Sequence, residues 1–121
     1  MAFSFSRLIL DDANVQMFER GNAYFLEGAV QGKPVGTAAY RATVSGTEHY
    51  TVGLGFRRTG KPKYSCSCPY FQKHGTVCKH IIATALEWDA SRNVPGPNRD
   101  DVAFLCGKKR TTSTTEKVDL L

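Results

Sequence analysis

The stretch 64–80 constrains this chain most, because it holds three of the four cysteines and two of the three histidines. Cys66 and Cys68 are separated by one residue, and Cys78 and His80 repeat that spacing after a further nine residues. Three thiolates and one imidazole complete a tetrahedral ligand set for Zn²⁺. Since such a set leaves no position for water or substrate, the pattern predicts a structural zinc site and not a catalytic one.

The spacing of the two pairs can be placed on secondary structure. Both members of the first pair lie on one face of an extended strand, because strand side chains alternate between faces. Pro69 lacks a backbone N–H and suits a chain that leaves a sheet. We expect a loop over 70–77 with its turn at Gly75. The second pair opens the apolar run 81–88, which predicts a helix whose positive N-terminal end favours a thiolate.

The sequence Cys66-Ser-Cys-Pro-Tyr-Phe71, the Gly75 loop and Cys78-Lys-His80 before an apolar helix together resemble the SWIM zinc finger. The segment 18–30 resembles the helix-then-strand lead-in of that family, so the resemblance covers about 14–90. It implies zinc as the cofactor, with Cys66, Cys68, Cys78 and His80 as the metal ligands. It also implies a DNA-binding or protein-binding role, often as an accessory part of a larger assembly.

Two other roles of the cysteines, as buried apolar residues or in a disulfide, fit the sequence less well. Free cysteines are often buried as small apolar residues, but the neighbours here are polar. A disulfide from either member of the first pair to Cys78 requires an oxidising compartment, for which the sequence gives no sign. The loop residue His74 competes with His80 as the fourth ligand, and the resemblance favours His80.

Charge is concentrated around the cysteine pattern. The chain has a net charge of +5, and the segment 49–86 contains six Lys or Arg and no Asp or Glu. A basic surface of this kind favours a polyanion, so we expect nucleic acid as the partner, DNA in preference to RNA. The candidate contacts are Arg57, Arg58, Lys61, Lys63, Lys73 and Lys79. In the alternative, these cations only make the hairpin a solvated surface, and the chain is a protein-interaction module.

The predicted zinc loop contains two aromatic residues, for which two roles are possible. Tyr70 and Phe71 either lie exposed and stack on an unpaired base, or fill the core beneath the metal.

The chain as a whole predicts an α+β fold, with an N-terminal helix, a three-stranded antiparallel β-meander and a zinc-pinned C-terminal helix. The first helix begins after Asp11, Asp12 or Asn14 and ends near Leu26, before Gly28. Residues 1–10 are expected to form a short strand or an arm. The last helix covers about 79–90, with Trp88 in the core or at its rim.

The meander covers 29–66, with turns expected at 31–34 and 44–47. Apolar and polar residues alternate over 37–44 and again over 50–57, so each strand has one buried and one solvated face. The segment 57–63 is a basic hairpin turn that leads into the strand of Cys66.

Two regions follow from this organisation. Residues 1–90 form the zinc-finger domain with its N-terminal helix, and residues 91–121 form a Pro/Gly linker, a short helical turn and a polar tail. The helical turn is capped by Asp100 or Asp101 and ended by Gly107. Lys108-Lys-Arg110 begins the tail, whose composition is too polar to order itself.

The sequence predicts a binding module and not an enzyme. Cys106 could be paired with His49 or His74 as nucleophile and base, but nothing in their spacing orients them. An unpaired thiol fits a reducing, cytoplasmic setting, and no apolar run approaches the ~20 residues of a membrane span. We expect neither a membrane nor a small-molecule substrate as partner.

Overall fold

The computed structural model describes residues 3–106 and has an α+β architecture. The tail that begins at Lys108-Lys-Arg110 and the predicted helix stop at Gly107 lie outside the described residues. The helices are α1 (Phe5–Leu8), α2 (Val15–Leu26), α3 (Pro69–His74), α4 (Lys79–Ser91) and α5 (Arg99–Leu105), with a 3₁₀ turn at Leu10–Asp12. The strands are β1 (Val30–Pro34), β2 (Tyr40–Ser45), β3 (His49–Phe56) and β4 (Pro62–Cys66).

The sheet is antiparallel in the order β1-β2-β3-β4, so the prediction of three strands was wrong by one. The missing strand is β1, whose residues 31–34 were expected to form a turn. Gly32 is needed there because a Cβ would come within 2.5 Å of the Tyr40 ring. Pro34 is tolerated because β1 is an edge strand. The turn itself follows, with Gly36 at a φ of 70°.

The middle strands have the predicted alternation. On β2, Tyr40, Ala42 and Val44 are buried and the residues between them are exposed. On β3, Val52 and Leu54 face the same core. One face of the sheet is therefore packed and the other is open to solvent.

Helix α2 begins and ends close to the predicted positions. The Asn14 side chain accepts a hydrogen bond from the Met17 backbone N–H (2.7 Å) and caps the helix. Gly28 follows the last turn at a φ of 76°, a conformation that favours glycine. Among the apolar residues of α2, Phe18 is buried, whereas Val15 is 42% exposed.

The N-terminal segment is helical where a strand or an arm was expected. The Ser4 side chain caps α1 by accepting from the Arg7 backbone N–H (3.3 Å). The buried carboxylate of Asp89 accepts the backbone N–H groups of Phe5 (2.8 Å) and Ser6 (3.3 Å). These contacts come from a residue far away in sequence, so local patterning did not reveal them.

Helix α4 lies at the centre of the molecule. It packs on all four strands and on α1 and α2, and its residues 80–86 are all buried. Trp88 is 2% exposed and stacks on the Tyr40 ring at 5.7 Å between centroids, so of the two expected places it lies in the core and not at the rim. A helix buried on nearly every side needs an apolar surface around its whole circumference, and 81–88 supplies one.

Helix α5 returns the chain to the body of the domain. Its cap is Asn98, which accepts from the Asp101 backbone N–H (2.8 Å) while the Asp101 carboxylate accepts from the Asn98 N–H (3.0 Å). The prediction of Asp100 or Asp101 as the cap was therefore wrong by two or three positions. Val102 is buried, and Asp101 forms an ion pair with Arg7 at 2.8 Å.

Candidate metal centre

The first cysteine pair is positioned by the end of the sheet. Cys66 is the last residue of β4 and lies opposite Val52 of β3. Cys68 follows in extended backbone, with a φ of −73° and a ψ of 156°, so its side chain returns to the same side. Both thiols are buried.

The predicted loop after Cys68 is mostly a short helix, α3. Pro69 occupies its first turn, where a missing N–H costs nothing, and Gly75 ends it in the left-handed conformation (φ 69°). The Cys68 sulfur accepts from the Phe71 backbone N–H (3.4 Å) and so acts as the N-cap. The proline and glycine were noted in the sequence, but their pairing as a helix start and stop was missed.

The second pair is positioned by the start of α4. Cys78 is the N-cap residue, and His80 lies in the first turn. The His80 ring is held between Tyr50 (4.6 Å between centroids) and Tyr24 (5.4 Å). The Gln72 side chain adds a further restraint, since its amide donates to the Cys66 carbonyl (2.9 Å).

The four side chains converge on one point. The sulfurs of Cys66, Cys68 and Cys78 and a ring nitrogen of His80 all lie within 4.8 Å of one another, and all four residues are buried. The His80 Nδ1 is 3.7 Å from the Cys66 sulfur and 3.8 Å from the Cys78 sulfur. A zinc tetrahedron with Zn–S bonds of about 2.3 Å has edges of about 3.8 Å. The cluster therefore fits Zn²⁺, and the ligand nitrogen is Nδ1.

The thiols of Cys66 and Cys78 interact with each other in the metal-free protein. A hydrogen bond between Cys78 and Cys66 lowers the pKa of the Cys66 thiol, against the effect of burial. The same hydrogen bond, with burial, raises the pKa of the Cys78 thiol, because the two sulfurs share one proton. Zinc supplies the positive charge that lets all three sulfurs be thiolates together, so its binding is coupled to proton release.

His74 does not belong to this cluster. It is exposed at the end of α3, with its ring 4.5 Å from that of Tyr70. The structure thus brings together the four predicted ligands and leaves the competing histidine outside.

The predicted nucleic-acid contacts fall into separate groups. Arg57, Arg58 and Lys61 lie in the turn between β3 and β4, and Lys63 lies on β4. Four residues of β4 separate Lys61 in this turn from Cys66, a distance of about 17 Å along a strand. We name these four cations the basic hairpin surface; all are exposed.

The other two predicted contacts lie near the metal centre and apart from that surface. Lys73 is exposed on α3, and Lys79 is half-buried as the first residue of α4. The Lys79 Nζ lies 5.6 Å from the centre of the Tyr24 ring. The six cations therefore do not form one continuous face.

Two acidic residues beside the hairpin were missed. Asp11 and Asp12 line a cavity of about 380 Å³ together with Arg57, Lys61 and Lys63. The Tyr64 hydroxyl donates a hydrogen bond to Asp12, and burial and this bond raise the pKa of Tyr64. The acids come from a distant part of the chain, so the acid-free segment 49–86 gave no sign of them.

The two aromatics of α3 divide between the alternatives. Tyr70 is 41% exposed, whereas Phe71 is half-buried with its ring 6.3 Å from that of Tyr64. Only Tyr70 is therefore available to a partner.

The cysteine and the histidines that could act as nucleophile and base are not hydrogen-bonded to one another. Within residues 3–106, no hydrogen bond links Cys106 to a histidine, and His49 is hydrogen-bonded to Ser45 (3.1 Å). Burial raises the pKa of the Cys106 thiol. Across the same described residues, no helix combines the length and apolar character needed to cross a bilayer.

Comparison with known families identifies the metal-binding segment. Residues 50–89 match the family model of the SWIM zinc finger, from the second residue of β3 into the last turn of α4. Searches of curated proteins and of solved structures returned no match. This range contains all four clustered side chains, so the segment 50–89 is similar to a SWIM zinc finger, with Cys66, Cys68, Cys78 and His80 positioned to bind a metal ion such as zinc.

Proposed function

We propose that this chain is a zinc-stabilised module that binds nucleic acid, DNA in preference to RNA, through the basic hairpin surface. The observation that carries the proposal is the exposure of Arg57, Arg58, Lys61 and Lys63 on one turn and its flanking strand. None of the four is in an ion pair within residues 3–106, so their charges are free to meet phosphates. Phosphate contacts dominate nucleic-acid affinity.

The open face of the sheet extends this surface. Alternation places Arg57 on the solvent side, where Lys33 and Arg41 also lie as cross-strand neighbours. The solvent-facing strand positions include no Asp or Glu; besides the cations, the polar ones are Gln31, Thr43, Ser45, His49, Thr51 and Ser65. Lys33 and Arg41 were missed in the sequence because their place beside the basic hairpin surface follows only from the pairing of the strands.

The shape of this face suits a close approach of a phosphate backbone. Gly53 lies between Arg41 and Ser65 in the register. A glycine at this position leaves the centre of the face without a bulky side chain. These six cations face three acids, Asp11 and Asp12 beside the hairpin and Glu87 beside Lys33 and Arg41, which leaves a net charge of about +3 and favours contacts with any sequence alike.

The test is the salt dependence of DNA binding. The double change Arg57→Ala with Arg58→Ala should weaken binding to all sequences and flatten the slope of log affinity against log salt by up to ~2 units. Arg99→Ala, an exposed cation on α5, is the matched control and should leave the slope unchanged. Zinc content and melting temperature should stay constant in all variants, because turn side chains are surface features.

Two outcomes would refute the proposal. One is an absence of binding to DNA or RNA at low salt. The other is a double variant that binds as tightly as the parent, which would make these cations a solvated surface only.

A protein partner is the second candidate. The observation in its favour is β1, an edge strand whose outer backbone groups pair with no other strand of the described sheet. Such an edge can accept a strand from another protein. Binding of this kind should resist high salt, since backbone hydrogen bonds and apolar contacts depend little on it, whereas phosphate contacts are lost.

A further inference from the structure

A cavity of about 230 Å³ adjoins the metal centre and is not explained by the zinc ligands alone. Its buried floor is formed by Cys68, Cys78 and His80. The ligand atoms of the metal cluster lie within 4.8 Å of one another, so a bound ion occupies only the space among them. The cavity continues outward to Arg20 on α2 and Thr47 in the β2–β3 loop. Most of its volume therefore remains for another group.

Aromatic rings line this cavity on three sides. Tyr24 comes from α2, Tyr50 from β3 and Tyr70 from α3. The first two are half-buried and are fixed against the His80 ring, while Tyr70 is 41% exposed at the mouth. Aromatic side chains from three different elements suit a flat, unsaturated ligand, and aromatic stacking is tolerant of which base it meets.

Two cations lie at the same mouth. Arg20 is exposed and Lys79 half-buried, and within residues 3–106 neither is in an ion pair. Glu27 shares the adjoining surface with both cations, and Glu48 lies close enough to Tyr50 to raise its pKa, after the larger effect of burial. Neither acid lines the cavity itself. The combination of ring faces and unpaired cations selects a ligand that carries both an aromatic ring and a negative charge.

We propose that this cavity binds one unpaired nucleotide of a single-stranded nucleic acid. Its base stacks against Tyr70 and enters between the tyrosines, and its phosphate meets Arg20 and Lys79. The proposal rests on the proposed function and adds to it a preference for single strands. Bases of a duplex stay paired and stacked, so they cannot enter a cavity of this depth without being flipped out.

The experiment uses the zinc-loaded full chain with a labelled oligothymidylate and a labelled duplex of the same length. Tyr70→Ala and Arg20→Ala alter exposed side chains, so the fold and zinc content should be kept. Tyr70→Ala should weaken single-strand binding by about 5- to 100-fold and leave duplex binding unchanged. Tyr70→Phe keeps the ring and should bind like the parent, and Arg99→Ala is the control for Arg20→Ala.

The outcomes separate the two proposals. If the cavity variants bind single strands like the parent while the Arg57/Arg58 variant loses affinity for both probes, the nucleotide site is refuted and the proposed function stands. Equal losses for single strand and duplex would also refute the site. A parent protein that binds neither probe refutes both proposals. If a labelled acidic, tyrosine-containing peptide binds the parent and loses affinity in Tyr70→Ala, while the affinity for oligothymidylate stays unchanged in that variant, the cavity belongs to a protein partner and the proposal is overturned.

Discussion

A single residue without a side chain decides how closely α2 approaches α4. At Gly21 a Cβ would lie 2.6 Å from the Ile82 side chain and 2.8 Å from the Lys79 carbonyl oxygen. In the sequence this glycine indicates only a weakened helix, because its partner lies far along the chain. In the structure it lies directly against α4 and leaves no room for a Cβ.

We therefore predict that Gly21→Ala destabilises the protein, by about 1–3 kcal/mol, through overpacking. This cost opposes the gain of ~1 kcal/mol that alanine brings to an ordinary helix position. Urea denaturation measures the difference, and Glu19→Ala, at an exposed position of the same helix, serves as the control. A more stable Gly21→Ala protein would show that α2 can move away from α4 at little cost.

Cys106 gives a prediction about pH at the same scale. Burial raises the pKa of its thiol, so the reactive thiolate forms at a higher pH than in a free cysteine. Iodoacetamide should therefore alkylate it slowly near neutral pH, and the rate should climb only at higher pH than for glutathione. Fast alkylation at neutral pH would indicate an activated thiol and reopen the question of an enzyme.

At the scale of elements, one buried carboxylate joins the first helix to the central one. Asp89 of α4 is 1% exposed, and it accepts hydrogen bonds from the Ser4 and Ser6 hydroxyls (2.8 and 2.6 Å) as well as from the α1 backbone. Arg92 adds an ion pair at 2.9 Å. A buried charge is tolerated only when it is paired and hydrogen-bonded in this way.

We predict that Asp89→Asn costs about 3–5 kcal/mol, because it leaves Arg92 without its partner and places an amide N–H₂ among donors. The first helix should detach before the rest of the domain, which hydrogen exchange of the Phe5 and Ser6 amides would report. Asp100→Asn, at an exposed site, is the control. Unchanged exchange at these two amides would show that α1 is held by its aromatic packing alone.

Elements with a clear period were predictable, and those held by distant contacts were not. Helices α2 and α4 and strands β2 and β3 follow from their apolar spacing. Strand β1 was missed because Gly32 and Pro34 are usual turn residues, and its place at the edge follows only from pairing with β2. Helix α3 was missed because its cap is a cysteine sulfur.

At the scale of the whole molecule, the metal ligands belong to the main core. Three ligands are among its buried members, and α4, which carries the fourth, packs on every strand.

Structural zinc contributes on the order of 10 kcal/mol in small domains. We predict that chelation unfolds at least the segment 64–90 and weakens the packing of the sheet. Thermal melting with and without a chelator tests this, and an unchanged melting temperature would contradict it.

The parts of the site differed in how far the sequence revealed them. The ligands were predictable because their spacing matches the end of a strand and the start of a helix. The cavity was not, since Arg20, Tyr24 and Tyr50 come from elements that meet only in the folded chain. The same holds for Asp11 and Asp12 beside the basic hairpin surface.

Metal content of the purified protein tests the central claim most directly. We predict one zinc per chain in the parent and in His74→Ala, because His74 lies outside the cluster, and a strong loss of zinc in His80→Ala. A parent without zinc would contradict the account, as would zinc lost from His74→Ala and retained by His80→Ala.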